Sequence, residues 1–251
     1  MSLSLSHRIA GVLRLVLDGI GNATAGRPRA CAFASSGQHI PAWLYTAKGQ
    51  APGVLVLHTA WGLSAHERAF ARRLAAAGFT CMVVSYTTLT TGGAVLKDAV
   101  RRQFLEQVAV DALEHLRVQP EVHASRVAVV GFSLGGYFAL HLATGRTPPA
   151  AAVVYYGMYP NAEALMPTLS VPLLVLQGGR DDPAFVRAAD SAAQVATAHG
   201  RSYDLITYPE GVHQFDLFQA REWFGRDAWA RTCAFLARHL RDDAPGCPTT
   251  G

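Results

Sequence analysis

Two kinds of hydrophobic pattern alternate along the chain. Residues 54–58, 79–86, 127–130, 151–156, 172–177 and 203–208 are short runs rich in Val, Leu, Ile and aromatic residues. Such runs are the length of strands and too short for free-standing helices. Between them, residues 65–77, 95–117, 134–144, 184–198 and 226–241 repeat their apolar positions every three or four residues, the spacing of a helix with one buried face. Runs that are apolar throughout suit strands covered on both faces, and their alternation with helices predicts a mostly parallel sheet with right-handed crossovers. Two further strands, 30–34 and 40–46, flank Ser35-Ser36-Gly37 and predict a hairpin at one edge. The expectation is an α/β domain with eight strands flanked by helices.

The ends carry less information. Residues 3–17 have helical spacing and lead through a linker to about residue 28. The apolar stretch 9–20 with Ala23-Thr24-Ala25 loosely resembles a secretion signal, but Arg14 and Asp18 interrupt it, which predicts an amphipathic helix packed on the domain. No stretch is as long as a membrane span. Residues 242–251, with Pro245, Gly246 and Pro248, are expected to fray. No repeat or second composition appears, so residues 1–251 are read as one domain.

Composition narrows the partners. Half of the residues are hydrophobic, enough for a sheet buried on both faces, and 16% are charged, too few for a disordered chain. The net charge of +4 comes from arginines scattered over helical segments, such as Arg68, Arg72, Arg73, Arg101 and Arg102. These read as solvated faces rather than a nucleic-acid patch. The expected partner is a small-molecule substrate, with neither nucleic acid nor membrane. Cys31, Cys81, Cys233 and Cys247 form no C-x-x-C pair, which suits a reducing, cytoplasmic location. No histidine pair has the carboxylate company or spacing of a zinc site, and no metal or cofactor is expected.

The chemistry concentrates after the strand at 127–130. It runs into Gly131-Phe132-Ser133-Leu134-Gly135-Gly136 and then directly into a helical pattern, the strand, sharp turn and helix of a nucleophile elbow. Gly131 and Gly135 allow the close backbone approach that such a turn needs, and the turn lifts the Ser133 hydroxyl towards substrate. Serine needs a base, and the base needs an orienting acid. In an α/β-hydrolase sheet they follow in the order Ser, acid, His. The strand at 172–177 ends in Gly178-Gly179-Arg180-Asp181-Asp182, and the strand at 203–208 in Pro209-Glu210-Gly211-Val212-His213. Both aspartates are candidates for the acid. His58, also just past a strand, is either a substrate contact or a hydrogen-bonded structural residue.

With these segments in place the chain resembles the dienelactone hydrolase family of α/β hydrolases. The resemblance runs from about residue 30 to 240 and rests on Gly53–Leu63, Gly131–Gly136, Gly178–Asp181 and Tyr208–Phe215. It implies the α/β-hydrolase fold and favours Asp181 as the acid. The departures bear on substrate. The family's eponymous enzymes use cysteine where this chain has Ser133, and a thiol-activating glutamate where it has Thr59. They hold a substrate carboxylate with two arginines; the matching positions here are Thr88, two residues after Tyr86, and Leu217, four after His213. An anion buried without a cation is costly, so a neutral ester or thioester is the expected substrate.

In the resulting reading Ser133 is the nucleophile, His213 the base and Asp181 the orienting acid. The backbone N–H groups of Leu134 and Ala60 hold the oxyanion. Trp61, Tyr86, Tyr156, Met158, Tyr159, Phe185 and Phe215 follow strand ends, where some line a pocket and others pack. Two alternatives stay open: acyl transfer, cyclisation or elimination on the same residues, and a non-catalytic binding protein on a hydrolase scaffold. Oligomeric state is not readable.

Overall fold

A computed structural model describes residues 27–86 and 92–241. The N-terminal helix, Thr88, Cys247 and the tail named above lie outside the described residues. The hairpin pairs β1 (Arg29–Ser35) with β2 (Gln38–Tyr45) antiparallel. Ser36 and Gly37 both take positive φ, 46° and 77°, the hand that suits the right-handed twist of two paired strands. β3 (Ala51–Leu57) and β4 (Thr80–Val84) follow, and every residue of both is buried. β5 (Val122–Phe132), β6 (Ala151–Tyr155), β7 (Leu173–Gly178) and β8 (Tyr203–Tyr208) complete one eight-stranded sheet in the order β1-β2-β4-β3-β5-β6-β7-β8. From β4 to β8 all neighbours are parallel; β2 joins β4 antiparallel, leaving the hairpin at the edge.

The period-two alternation of strands splits the core into two layers. On one face Leu55 and Leu57 of β3 and Val127 and Val129 of β5 pack with α3 (Ala99–Arg117), α4 (Leu134–Ala143) and α5 (Pro183–Ala198). On the other, Val54, Val56, Ala128 and Val130 pack with α1 (Ala65–Ala76) and α7 (Trp223–Leu240). The helix expected over 95–117 is two: α2 (Gly92–Lys97) stops short of Asp98, whose carboxylate accepts the Arg101 N–H at 3.0 Å and starts α3 afresh. An aspartate bonding its own backbone favours a cap over continued helix. A 3₁₀ turn (Ala162–Thr168) and α6 (Phe215–Phe218) are too short to leave a periodic signature in sequence. Among the described residues no helix is long and apolar enough to cross a membrane.

Candidate active site

The site lies past the C-terminal ends of the central strands, where open α/β sheets present their loops. β5 ends at Ser133, whose φ of 52° and ψ of −113° lie where side-chain-bearing residues are rarely found. The surroundings enforce this. A Cβ on Gly131 would come within 2.1 Å of the Gly135 carbonyl oxygen, and one on Gly135 within 2.2 Å of the Leu57 oxygen. The Ser133 N–H is held by the Tyr155 carbonyl at 3.0 Å, and the Ser133 carbonyl accepts the Gly136 N–H at 2.8 Å.

His213 arrives on the loop after β8. Its Nε2 is 2.9 Å from Ser133 Oγ, and its Nδ1 lies 2.8 and 3.1 Å from the two oxygens of Asp181. The carboxylate against the ring is therefore that of Asp181. Asp182 turns away and accepts the Ala184 N–H at 2.8 Å, capping α5. Asp181 also accepts the Asp182 N–H at 2.7 Å and the Gln177 side-chain amide at 3.0 Å, which fixes its plane. The His213 loop is clamped from behind. Val212 N–H donates to Gln219 Oε1 at 2.8 Å and Arg180 N–H to the Gly211 carbonyl at 2.8 Å. Gly178 and Gly211 stand close enough that a Cβ on Gly178 would meet the Gly211 oxygen at 2.5 Å.

Ala60 and Leu134 follow β3 and β5, which are neighbours in the sheet. Leu134 begins α4, so the helix supplies no acceptor for its N–H. Ala60 lies in a turn closed by Gly62 N–H to Thr59 O at 3.2 Å. Neither N–H has an acceptor among the described residues. Thr59 uses its hydroxyl to accept the Trp61 N–H at 3.3 Å. The turn is tied to α1 by Ser64 and Glu67: the Ser64 N–H and hydroxyl both donate to Glu67 Oε2, at 3.0 and 2.6 Å. That S-x-x-E capping box is a sequence signal for the start of α1.

His58 stands apart from Ser133's partners. Its Nδ1 is 2.6 Å from the Thr59 carbonyl, its Nε2 accepts the Tyr86 N–H at 3.3 Å, and its ring stacks on Tyr86 at 3.9 Å. Burial pushes its pKa below the usual imidazole range. It is a neutral, fully partnered residue.

The aromatic and apolar candidates divide. Tyr86, Tyr156, Met158 and Phe215 are buried in the two core layers. Trp61 is 54% exposed, 6.5 Å from the Phe218 ring, and Phe185 is half-buried with its ring 5.5 Å from His213. Leu217 is half-buried beside Phe218. Asp216 had no sequence signal. Asp216 accepts the Tyr156 hydroxyl at 2.6 Å and lies 2.9 Å from His66 Nε2. Burial lowers the His66 pKa, but the Asp216 carboxylate outweighs it and the net shift is upward. Tyr159 follows β6; its ring packs edge-on against Phe185 at 4.8 Å, and burial pushes its pKa up to about 12.

A model described as the dienelactone hydrolase family matches residues 40–240. A Saccharolobus solfataricus protein named "Putative carboxymethylenebutenolidase" is 24% identical over 82% of this chain and 96% of its own length. Among solved structures, a dienelactone hydrolase-like promiscuous phosphotriesterase from metagenomic libraries superposes with a TM-score of 0.75 at 22% identity, covering 86% of this chain and 99% of that one. A thermophilic esterase from Thermogutta terrifontis superposes at 0.69 with 14% identity, over 86% and 97% of the two chains. At these identities the structural matches speak for the fold.

Proposed function

The chain belongs to the dienelactone hydrolase family, and from that premise we propose that it is a serine hydrolase cleaving a neutral carboxylic ester or thioester through an acyl-enzyme. One observation carries the reading: the continuous line from Ser133 Oγ through both nitrogens of His213 to Asp181. Ser133 attacks the acyl carbon while His213 Nε2 takes its proton. Asp181 keeps the proton on Nδ1 and balances the imidazolium that forms. The tetrahedral oxyanion is held by the N–H groups of Leu134 and Ala60. As it collapses, His213 returns the proton to the departing oxygen or sulfur. Water then attacks the acyl carbon, with His213 again as base, and Ser133 is regenerated.

The preference for a neutral substrate is supported by what replaces charge around this line. Leu217 stands where the related enzymes hold arginine, and nearby the exposed Trp61 ring lies 6.5 Å from that of half-buried Phe218. Thr59 replaces the thiol-activating glutamate, consistent with a hydroxyl that His213 activates directly. A cytoplasmic location belongs to the same reading and is supported by free thiols at Cys31, Cys81 and Cys233.

A fluorophosphonate probe tests the core of this proposal. It should label Ser133 stoichiometrically, and Ser133→Ala should lose both labelling and turnover of a p-nitrophenyl ester while keeping its melting temperature. A folded wild type that resists the probe would point to a non-catalytic scaffold. The substrate preference is checked by comparing kcat/KM for a neutral ester and a carboxylated lactone. Preference for the lactone would reject the neutral class.

A further inference from the structure

A cluster of ionisable side chains lies close to the line from Ser133 to Asp181 and takes no part in it. His66 Nε2 is 2.9 Å from a carboxylate oxygen of Asp216, and the two side chains are only 11% and 9% exposed. The other Asp216 oxygen accepts the Tyr156 hydroxyl at 2.6 Å. Glu67, beside His66 in α1, is buried as well; it accepts the Thr59 N–H at 3.5 Å and the Ser64 N–H at 3.0 Å. The charged groups that bear on His66 are thus Asp216 from α6 and Glu67 and Arg73 from α1. Arg73 lies over the Trp229 ring of α7, and β5 presents the Phe132 ring to His66 edge-on at 5.2 Å. The hydroxyl of Tyr156, after β6, stays protonated because burial pushes its pKa well up.

Stability does not account for the pair. His66 is the second residue of α1, where a cation meets the positive end of the helix dipole. A buried ion pair also gains little over an apolar pair of the same size. What the pair does is join segments. Through Glu67, the first turn of α1 grips Thr59 and Ser64, which bracket the turn that in the proposed reaction supplies the Ala60 N–H. Asp216 lies three residues after His213, and the Tyr156 ring meets the His213 ring edge-on at 5.0 Å. We infer that His66 and Asp216 are positioning residues, whose charge pair locks the Ala60 turn to the His213 loop and so keeps oxyanion hole and base in register. The inference rests on the acyl-enzyme reading above.

The lock holds only while His66 carries its proton. Nε2 has no aligned hydrogen-bond acceptor, so the attraction to Asp216 is one of charge. Burial works against that charge, but the Asp216 carboxylate prevails and the pKa is raised. Below the raised value the pair is intact. As pH rises through it, His66 becomes neutral, and Asp216 and Glu67 are left without the neighbouring imidazolium. The Ala60 turn and the His213 loop then lose their tie, which slows the chemical steps while the surfaces that bind substrate are unchanged.

Asp216→Asn tests this, because asparagine can still accept the Tyr156 hydroxyl but carries no charge. Turnover of a p-nitrophenyl ester is followed from about pH 6 to 9, with spontaneous hydrolysis subtracted. Wild-type kcat should fall on the alkaline side. The variant should lose about 10- to 100-fold in kcat near neutral pH, the cost of a displacement on the order of an ångström. Its KM should stay within about twofold, and its alkaline fall should be gone. His66→Gln should lose as much, and the charge-free double variant no more than either alone, because the two residues act as a unit. The double variant also keeps the test readable if a lone buried charge unfolds a single variant. Unchanged kcat in Asp216→Asn, additive losses in the double variant, a wild type with no alkaline fall, or the same fall in wild type and variant would each overturn the inference. If a fluorophosphonate fails to label Ser133 in the folded wild type, the acyl-enzyme reading falls, and this inference with it; a labelled wild type with an unaffected Asp216→Asn overturns the inference alone.

Discussion

Two loops bring a histidine to the same edge of the sheet, and of the two only His213 meets a serine hydroxyl. His58 follows β3 and His213 follows β8. His58 is fully buried, both its nitrogens are occupied by backbone groups, and its ring lies flat on Tyr86. The His213 side chain is one-third exposed, and both its nitrogens face side chains. Nearness to a strand end does not make a base. What matters is whether the partners of the ring can change during a reaction. The Tyr86 N–H is fixed to the backbone just past β4, whereas the Ser133 hydroxyl is a rotatable group that, in the proposed reaction, gives up its proton and turns to substrate.

The largest effect that would break this comparison comes from exchanging the two losses. His213→Gln should lower kcat on a p-nitrophenyl ester at least about a thousandfold, with little change in melting temperature. His58→Gln should do the reverse. It leaves buried polar partners unpaired at a cost of about 1–3 kcal/mol each, seen as a lower melting temperature, while the folded fraction keeps most of its activity. A His58 variant that is stable and inactive would move His58 into the chemistry. The adjacent aspartates sharpen the same point. Asp181→Asn should cost about 10²–10⁴-fold in kcat, because it destabilises the imidazolium and favours the wrong tautomer. Asp182→Ala should cost only an N-cap, about 0.5–2 kcal/mol of stability.

The smallest effect lies in pH. The folded-state pKa of His58 is lowered, so the unfolded chain binds its proton more readily. Its contribution to stability is therefore present above the unfolded value of about 6.5 and lost as pH falls below it. Melting curves from pH 7 to 5 should fall more steeply for the wild type than for His58→Gln. Parallel curves would mean that His58 is not held neutral.

These contrasts mark where sequence reading stops. The hairpin was legible because Ser36-Gly37 must take positive φ, and the elbow because backbone pressed on backbone leaves room only for glycine at 131 and 135. Both constraints act between residues close in sequence or through a residue type that has no substitute. His58 and His213 carry the same local signal, a histidine after a strand, and only the far ends of their hydrogen bonds separate them. Asp216 was less visible still: its partners, Tyr156 and His66, lie after β6 and on α1, far from it in sequence, and aspartates after strands are common. The break at Asp98 was hidden because the apolar period continues across it while a single carboxylate ends one helix and caps the next.

The strained turn at Ser133 has a consequence for how the molecule assembles. Its dihedral angles are held by groups from three other places: the Leu57 carbonyl at the end of β3, the Tyr155 carbonyl at the end of β6, and Gly157 beyond it, where a Cβ would come within 2.4 Å of the Ser133 oxygen. None of these is near Ser133 in a chain whose central strands have not yet docked. Released from them, Ser133 would relax to an ordinary conformation and swing its hydroxyl away from His213. On the proposed acyl-enzyme reading, reactivity switches on only when the middle of the sheet closes, so probe labelling during refolding would time that closure, and a half-assembled molecule would not hydrolyse esters indiscriminately while still exposed.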